Sequence, residues 1–269
     1  MLKEKSPGLY KILPRFIINW LRRKLHENEI NCGMEYLGQF HGLEHNTEIL
    51  KYLGVKVESF HADRIPIKES VIIIANHPLG GLDGMALIKT VGEVREDVRF
   101  IVNDILKNLK NFGDIFVGVN KVGGTSRTAL QTIEEVYSSG AAILIFPAGL
   151  VSRKQDDDIK DLEWNKSFIS KALKYNKPIL PVFIEGNNSK FFYNFAKWRK
   201  RLGIKANLEM LLLPDEMFKQ KNKAIKVHFG FPISPEILNK NKSQREWANE
   251  LKEYVYSGSI QKGIPFKAH

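Results

Sequence analysis

Runs of apolar residues that do not alternate with polar ones punctuate this chain. Between them lie segments whose apolar positions recur every three or four residues. Residues 71–74, Val-Ile-Ile-Ile, are the clearest run. A strand with one wet face alternates, so this one is predicted to be covered on both faces. Pro78 and Gly80-Gly81 break it, and residues 84–91 read as the opening of a helix. Further strands are predicted at 55–60, 98–102, 115–119, 142–146, 178–184, 208–213 and 225–229. Helices are predicted at 47–53, 104–109, 129–138, 164–175 and 243–256, with Leu130, Ile133 and Tyr137 on one face of the third. Residues 121–127 read as a loop, and 154–160 as a charged, exposed stretch. Strands alternating with helices indicate an α/β fold, a single domain with a mostly parallel or mixed central sheet flanked by helices. Pro66 marks a seam between an N-terminal helical, interfacial region (1–65) packed on the core and an α/β core with a C-terminal helix (66–269).

Residues 9–26 place Leu9, Ile12, Leu13, Phe16, Ile17, Trp20 and Leu21 among Lys11, Arg15, Arg22, Arg23 and Lys24. This pattern fits an interfacial amphipathic helix, and equally a helix laying its apolar stripe on the main domain; Pro14 breaks it or starts a new turn. Residues 191–202 mix five aromatics with four cations. The whole chain of 269 residues carries a formal charge of +11, from 41 basic and 30 acidic side chains, which favours an anionic partner. An anionic membrane surface is expected; nucleic acid is disfavoured, because no recognisable binding motif accompanies the charge. The single cysteine, Cys32, allows no intrachain disulfide and no cysteine metal cluster. No secretory signal is expected at the start. No window approaches about 18 uninterrupted apolar residues, so membrane association is expected to be peripheral.

Candidate chemistry gathers at three strand exits: His77 with Asp83, residues 146–153, and residues 181–186. Ligands of open α/β sheets bind beyond the carboxyl ends of strands, so these exits are predicted to line one cleft. There His77 is the candidate general base, Asp83 its orienter, and Arg153 with Lys121 the cationic partners of a phosphate or carboxylate. Plain surface charge is the competing reading for those two cations. The dinucleotide fingerprint, the phosphate-binding loop and the Gly-x-Ser-x-Gly elbow are absent, and the seven histidines are scattered with no His-Glu-x-x-His, which leaves little support for a zinc site.

Asn76-His77 followed by Asp83, then Phe146-Pro147-Ala148-Gly149, then Ile179-Leu180-Pro181-Val182, resembles in order and spacing the glycerolipid acyltransferases, over roughly residues 65–235. The nearest likeness is to the hemolysin-like branch that acylates lyso-ornithine or lyso-glycine lipids. The resemblance implies a glycerolipid acyltransferase-like fold and an O-acyltransferase. Its donor would be acyl-carrier protein or acyl-CoA, its acceptor a lyso-lipid hydroxyl, and it would need no cofactor. His77 and Asp83 would be the catalytic dyad, separated here by five residues instead of the usual four. Asn76, Gly80, Gly81, Phe146, Pro147, Gly149 and Pro181 would shape substrate binding. Lys121 stands nearest the second motif's basic residue, and amides near Gly80-Gly81 or Gly149 would serve the oxyanion. The third motif has a glutamate where Ala148 stands and an arginine where Val151 stands, with Arg153 two positions on. These departures argue against a phosphate-headed acceptor and for a lyso-aminolipid; lysophosphatidic acid acylation and an inactive lipid-binding protein are the alternatives. The expected location is the cytoplasmic face of the membrane; the oligomeric state is left open.

Overall fold

A computed structural model describes residues 14–103, 106, 109–119, 127–156, 158–238 and 241–268. Three helices come first: α1 (Arg15–Lys24), α2 (Glu27–Leu37) and α3 (Gly42–Tyr52). Then follow β1 (Lys56–Phe60), β2 (Val71–Ala75), α4 (Gly81–Gly92), β3 (Val98–Asn103), β4 (Phe116–Val119), α5 (Arg127–Ser138) and β5 (Ala142–Ile145). The second half holds β6 (Arg153–Gln155), β7 (Asp158–Lys160), α6 (Ser167–Tyr175), β8 (Ile179–Ile184), α7 (Lys190–Arg201), α8 (Leu213–Phe218), β9 (Ala224–Phe229) and α9 (Gln244–Tyr256).

Seven strands form one sheet in the order β1-β9-β8-β2-β5-β3-β4. All neighbours are parallel except β8 and β9, so the sheet is mixed, as the alternation of elements predicts. β2 lies near its middle, and its alternate side chains enter opposite cores. Val71, Ile73 and Ala75 join Leu50 of α3, Leu53 at its end, and Leu87 and Val91 of α4. Ile72 and Ile74 join Ile133, Phe168, Trp247, Leu251 and Val255 from α5, α6 and α9. The absence of polar alternation in 71–74 is thus a three-layer sandwich read from one strand. Each of these isoleucines is fully buried, a gain of about 2 kcal/mol apiece before entropy is counted. β1, from the N-terminal region, is one of the two edge strands of this sheet, paired along its length with β9.

Several expectations shift. Residues 208–213 are not a strand: Leu208–Leu212 is a 3₁₀ turn leading into α8, with Pro214 in the first helical turn, where its missing N–H removes nothing. The charged stretch 154–160 contains a two-stranded hairpin, β6 paired antiparallel with β7. The helix after β2 starts at Gly81, three residues earlier than predicted, and α6 starts at Ser167. Of the two readings of Pro14, the start of a new turn holds: it is the N-cap of α1. Of the predicted helix 104–109 only Leu106 and Leu109 are among the described residues, and Lys121 and the glycines beside it lie outside them. Among the described residues no helix is long and apolar enough to cross a membrane.

Candidate active site

The parallel strands β2, β5 and β8 end together, and the site is built on those ends. One residue past β2, the buried Asn76 uses both faces of its amide on β8: Nδ2 donates to the carbonyl of Ile184 at 2.9 Å, and Oδ1 accepts its N–H at 2.7 Å. It extends the ladder with a side chain. His77 follows, two residues beyond β2. Its N–H donates to Asp161 Oδ1 at 3.2 Å and its carbonyl accepts from the Ser152 N–H at 2.8 Å. Its ring stacks on Phe146, at the end of β5, with centroids 4.1 Å apart and planes 16° apart. Nδ1 lies 2.9 Å from Asp83 Oδ2. Nε2 has no protein partner among the described residues, and the side chain is 16% exposed.

The five-residue spacing closes because of the turn between the two residues. Gly80 takes a left-handed φ of +92°, which a residue with a Cβ adopts only under strain, and it caps α4. Asp83, third residue of that helix, turns its carboxylate back over the cap. Its Oδ2 accepts from Leu79 N–H at 2.8 Å, from Gly80 N–H at 3.0 Å and from the histidine. The extra residue therefore closes into the first turn of a helix, and the imidazole and the carboxylate still meet. Asp83 is fully buried, and burial pushes its carboxyl above the ordinary aspartate range; the hydrogen bonds from His77, Leu79 and Gly80, with the imidazole's charge, oppose that rise.

Gly84 admits the next layer. A Cβ there would stand 2.7 Å from Phe100 Cε1. Phe100 in turn meets Phe146 edge-on, at 5.2 Å and 75°. The glycine thus lets α4 approach the ring that supports the ring under His77.

Sequence reasoning missed Asp161. This fully buried carboxylate accepts from His77 N–H, from Ser152 Oγ at 2.6 Å and from Trp164 Nε1 at 2.9 Å, while its own N–H donates to Tyr256 Oη at 2.8 Å. Its partners lie as far as 95 residues away, and beside Lys160 and Glu163 it reads as one more surface charge, so no local signal exposed it. The one available hint was Trp164 three residues on, an indole N–H needing an acceptor if buried.

The other nominated residues divide. Gly80, Gly81 and Phe146 join the dyad. Gly149 closes a tight turn onto the Phe146 carbonyl at 2.9 Å, with φ of +62°, and the Pro147 carbonyl receives the Asn165 N–H. Pro181 lies inside the sheet, level with Ile74. There the β8–β9 ladder is interrupted between the Ile179–Ile233 bridge and Val182, so a missing N–H is tolerated. Arg153 does not present a free cation. Its guanidinium is held by Glu209 at 2.8 Å and by the carbonyls of Val151 and Ser152. Val151 is wholly buried with Phe192, Tyr193 and Leu212.

With this geometry in hand, the comparisons with known proteins agree on one family. The family described as Acyltransferase matches residues 1–263. The chain is 37% identical over 257 residues to the lyso-glycine lipid O-acyltransferase of Phocaeicola vulgatus, covering 95% of this chain and 92% of that one. The Bacteroides thetaiotaomicron protein of the same name is also 37% identical over 257 residues, with 95% and 94% covered. A 1-acyl-sn-glycerol-3-phosphate acyltransferase of Borreliella burgdorferi is 30% identical over 148 residues, covering 52% of this chain and 56% of its own. The crystal structure of the 1-acyl-sn-glycerophosphate acyltransferase PlsC from Thermotoga maritima shares the fold, with a TM-score of 0.52 at 18% identity over 87% of this chain and 81% of that one. The chain belongs to the glycerolipid acyltransferase superfamily, as an acyl-transferring enzyme closely related to the lyso-glycine lipid O-acyltransferases.

Proposed function

We propose that this enzyme moves a fatty acyl group from a thioester, on acyl-carrier protein or CoA, to the free hydroxyl of a lyso-glycine lipid. The observation that carries the reading is the His77–Asp83 contact of 2.9 Å, with Nε2 facing no partner among the described residues. His77 Nε2 takes the acceptor's hydroxyl proton as the oxygen attacks the thioester carbonyl. The tetrahedral species collapses with loss of the carbon–sulfur bond, and the imidazolium returns the proton to the departing sulfur. Asp83 holds Nδ1–H and balances the charge that forms on the ring. The first-turn amides of Gly81 and Leu82 in α4, which have no intrahelical acceptor, are our candidates for the oxyanion.

The acceptor assignment rests on the two relatives and on the third motif. Ala148 supplies no carboxylate, Val151 is a buried apolar residue, and the guanidinium of Arg153 is taken up by Glu209. That leaves a poor clamp for a phosphate head group. The enzyme would work as a peripheral protein on the cytoplasmic face of the membrane. The test is to incubate the full chain with labelled acyl thioesters and lyso-glycine, lyso-ornithine and lysophosphatidic acceptors, and to identify products by mass spectrometry. Acylation of the lyso-glycine lipid, lost in His77→Ala with unchanged folding, is expected. Turnover undiminished in His77→Ala refutes the mechanism, and acylation of the phosphate acceptor alone refutes the head-group assignment.

A further inference from the structure

Helix α7 has two unlike faces. Phe192, Tyr193, Ala196 and Arg199 are buried, and Arg199 Nε lies 2.7 Å from Glu209, the carboxylate that also holds Arg153. The opposite face carries Phe191, Phe195, Trp198 and Leu202, spaced to form one stripe. Phe191, Trp198 and Leu202 are 50%, 57% and 56% exposed. The rings of the stripe follow one another at 6.1 and 6.2 Å between centroids. Lys190, Lys197, Lys200, Arg201 and Lys205 surround it, all exposed, and residues 190–208 contain no acid. Among the described residues none of these five cations has an ion-pair partner.

A helix whose solvent face is aromatic, edged by unpaired cations and anchored by an opposite buried face, fits the headgroup boundary of an anionic bilayer. α1 has the same character: Phe16 and Trp20 are exposed, no residue is buried, and Arg22, Arg23 and Lys24 fill its last turn. Adjacent residues of α8 join the two helices. Asp215 holds Lys24 at 2.9 Å. Glu216 accepts from Ser189, the N-cap of α7, through its N–H at 2.6 Å and its Oγ at 2.7 Å. One residue before that cap, Asn188 Nδ2 donates to the carbonyl of Pro78 at 3.1 Å, in the turn that carries His77.

We propose that α7 is a membrane-docking helix in its own right. Its stripe enters an anionic bilayer, and through Ser189 and Asn188 it sets the His77 turn against the lipid surface. The proposal rests on the reading that the acceptor is a membrane lipid, and it adds the face that meets that membrane. Charge complementarity selects the bilayer over a second copy of the chain, because two such faces would oppose cation to cation.

Trp198 reports directly. In Trp20→Phe the remaining tryptophans besides Trp198 are Trp164 and Trp247, both buried. Vesicles of phosphatidylcholine with phosphatidylglycerol, brominated along their acyl chains, should quench Trp198 and blue-shift its emission. Bromine near the glycerol should quench more than bromine at the chain ends. Phe191→Ser with Trp198→Ser should weaken vesicle binding by about tenfold or more, and high salt should weaken it further. The same variant should turn over acceptor dispersed in detergent at close to the parent rate. Binding without Trp198 quenching overturns the proposal, as does Trp198-dependent dimerisation in the absence of lipid, seen by sedimentation. If the parent acylates no dispersed lyso-lipid, the functional reading fails while the quenching result still decides the docking claim.

Discussion

Gly84→Ala isolates the packing that stands behind the histidine. Gly84 is in the body of α4, where alanine would ordinarily gain about 1 kcal/mol in helix propensity. Here the new Cβ would lie 2.7 Å from Phe100 Cε1 and 3.4 Å from Cζ, against about 3.5–4 Å for a relaxed carbon contact. A shift of roughly 1 Å is needed, and Phe100 has little room to make it. It is 4% exposed and lies between Phe116 and Phe146. Overpacking of this kind costs about 1–3 kcal/mol, so the expected net effect is a loss of about 1 kcal/mol despite the better helix former. The displaced ring bears on Phe146 and so on His77, and kcat should fall more than KM rises. Urea unfolding of Gly84→Ala, Phe100→Leu and the double variant measures the coupling. Leucine removes the clashing ring edge, so the alanine should be less harmful, or even stabilising, in that background, with a coupling of about 1 kcal/mol. If Gly84→Ala is as stable as the parent and the cycle closes within about 0.5 kcal/mol, steric support through Phe100 is refuted.

Other expectations follow from the same contacts. Asp161→Ala orphans three donors, His77 N–H, Ser152 Oγ–H and Trp164 Nε1–H; at about 1–3 kcal/mol for each buried group, calorimetry should show a loss of about 3 kcal/mol or more, and a loss below about 1 kcal/mol would contradict the network. Asp215 is driven up by burial but drawn down further by Lys219, Lys24 and His26, to about 2 from 3.8. A depressed carboxyl stabilises the fold above its unfolded value, and that contribution is lost as pH falls through its folded one. It is worth roughly 2 kcal/mol, so the stability gap between the parent and Asp215→Asn should shrink from about pH 4 to about pH 2, and a constant gap would refute the assignment. Ser243 caps α9 in a reciprocal box with Glu246; Ser243→Ala should cost about 1 kcal/mol, read as a lower denaturation midpoint.

What the sequence disclosed, and what it hid, follows from the reach of each interaction. β2 was legible because burial on both faces erases alternation in a run of four residues. The His77–Asp83 contact was legible because both partners belong to one turn, although five intervening residues left its closure to Gly80 and the α4 cap. α2 was missed, since Glu27–Leu37 shows no strong apolar stripe and contributes few buried side chains. Residues 208–213 read as a strand because leucines suit either element; the 3₁₀ turn is fixed by packing against α7 and by Pro214. Arg153 read as a ligand for a head group because Glu209, which holds its guanidinium, lies 56 residues on. Asp161 left no local trace at all.

The β6–β7 hairpin, a charged ornament in sequence terms, is also a joint. Its first pair matches Arg153 with Lys160, so Ser152 and Asp161 sit opposite each other at its base, and each bonds one side of the His77 backbone. Loop-closure cost grows slowly with length, so extra residues at the tip beside Asp156, already in a left-handed conformation, leave that base in register. A single residue inserted in one arm, between Ser152 and Gln155, would not. The hairpin therefore offers a place to append a tag or vary a surface without touching the chemistry, a few residues from a place where a change of length would misalign the histidine.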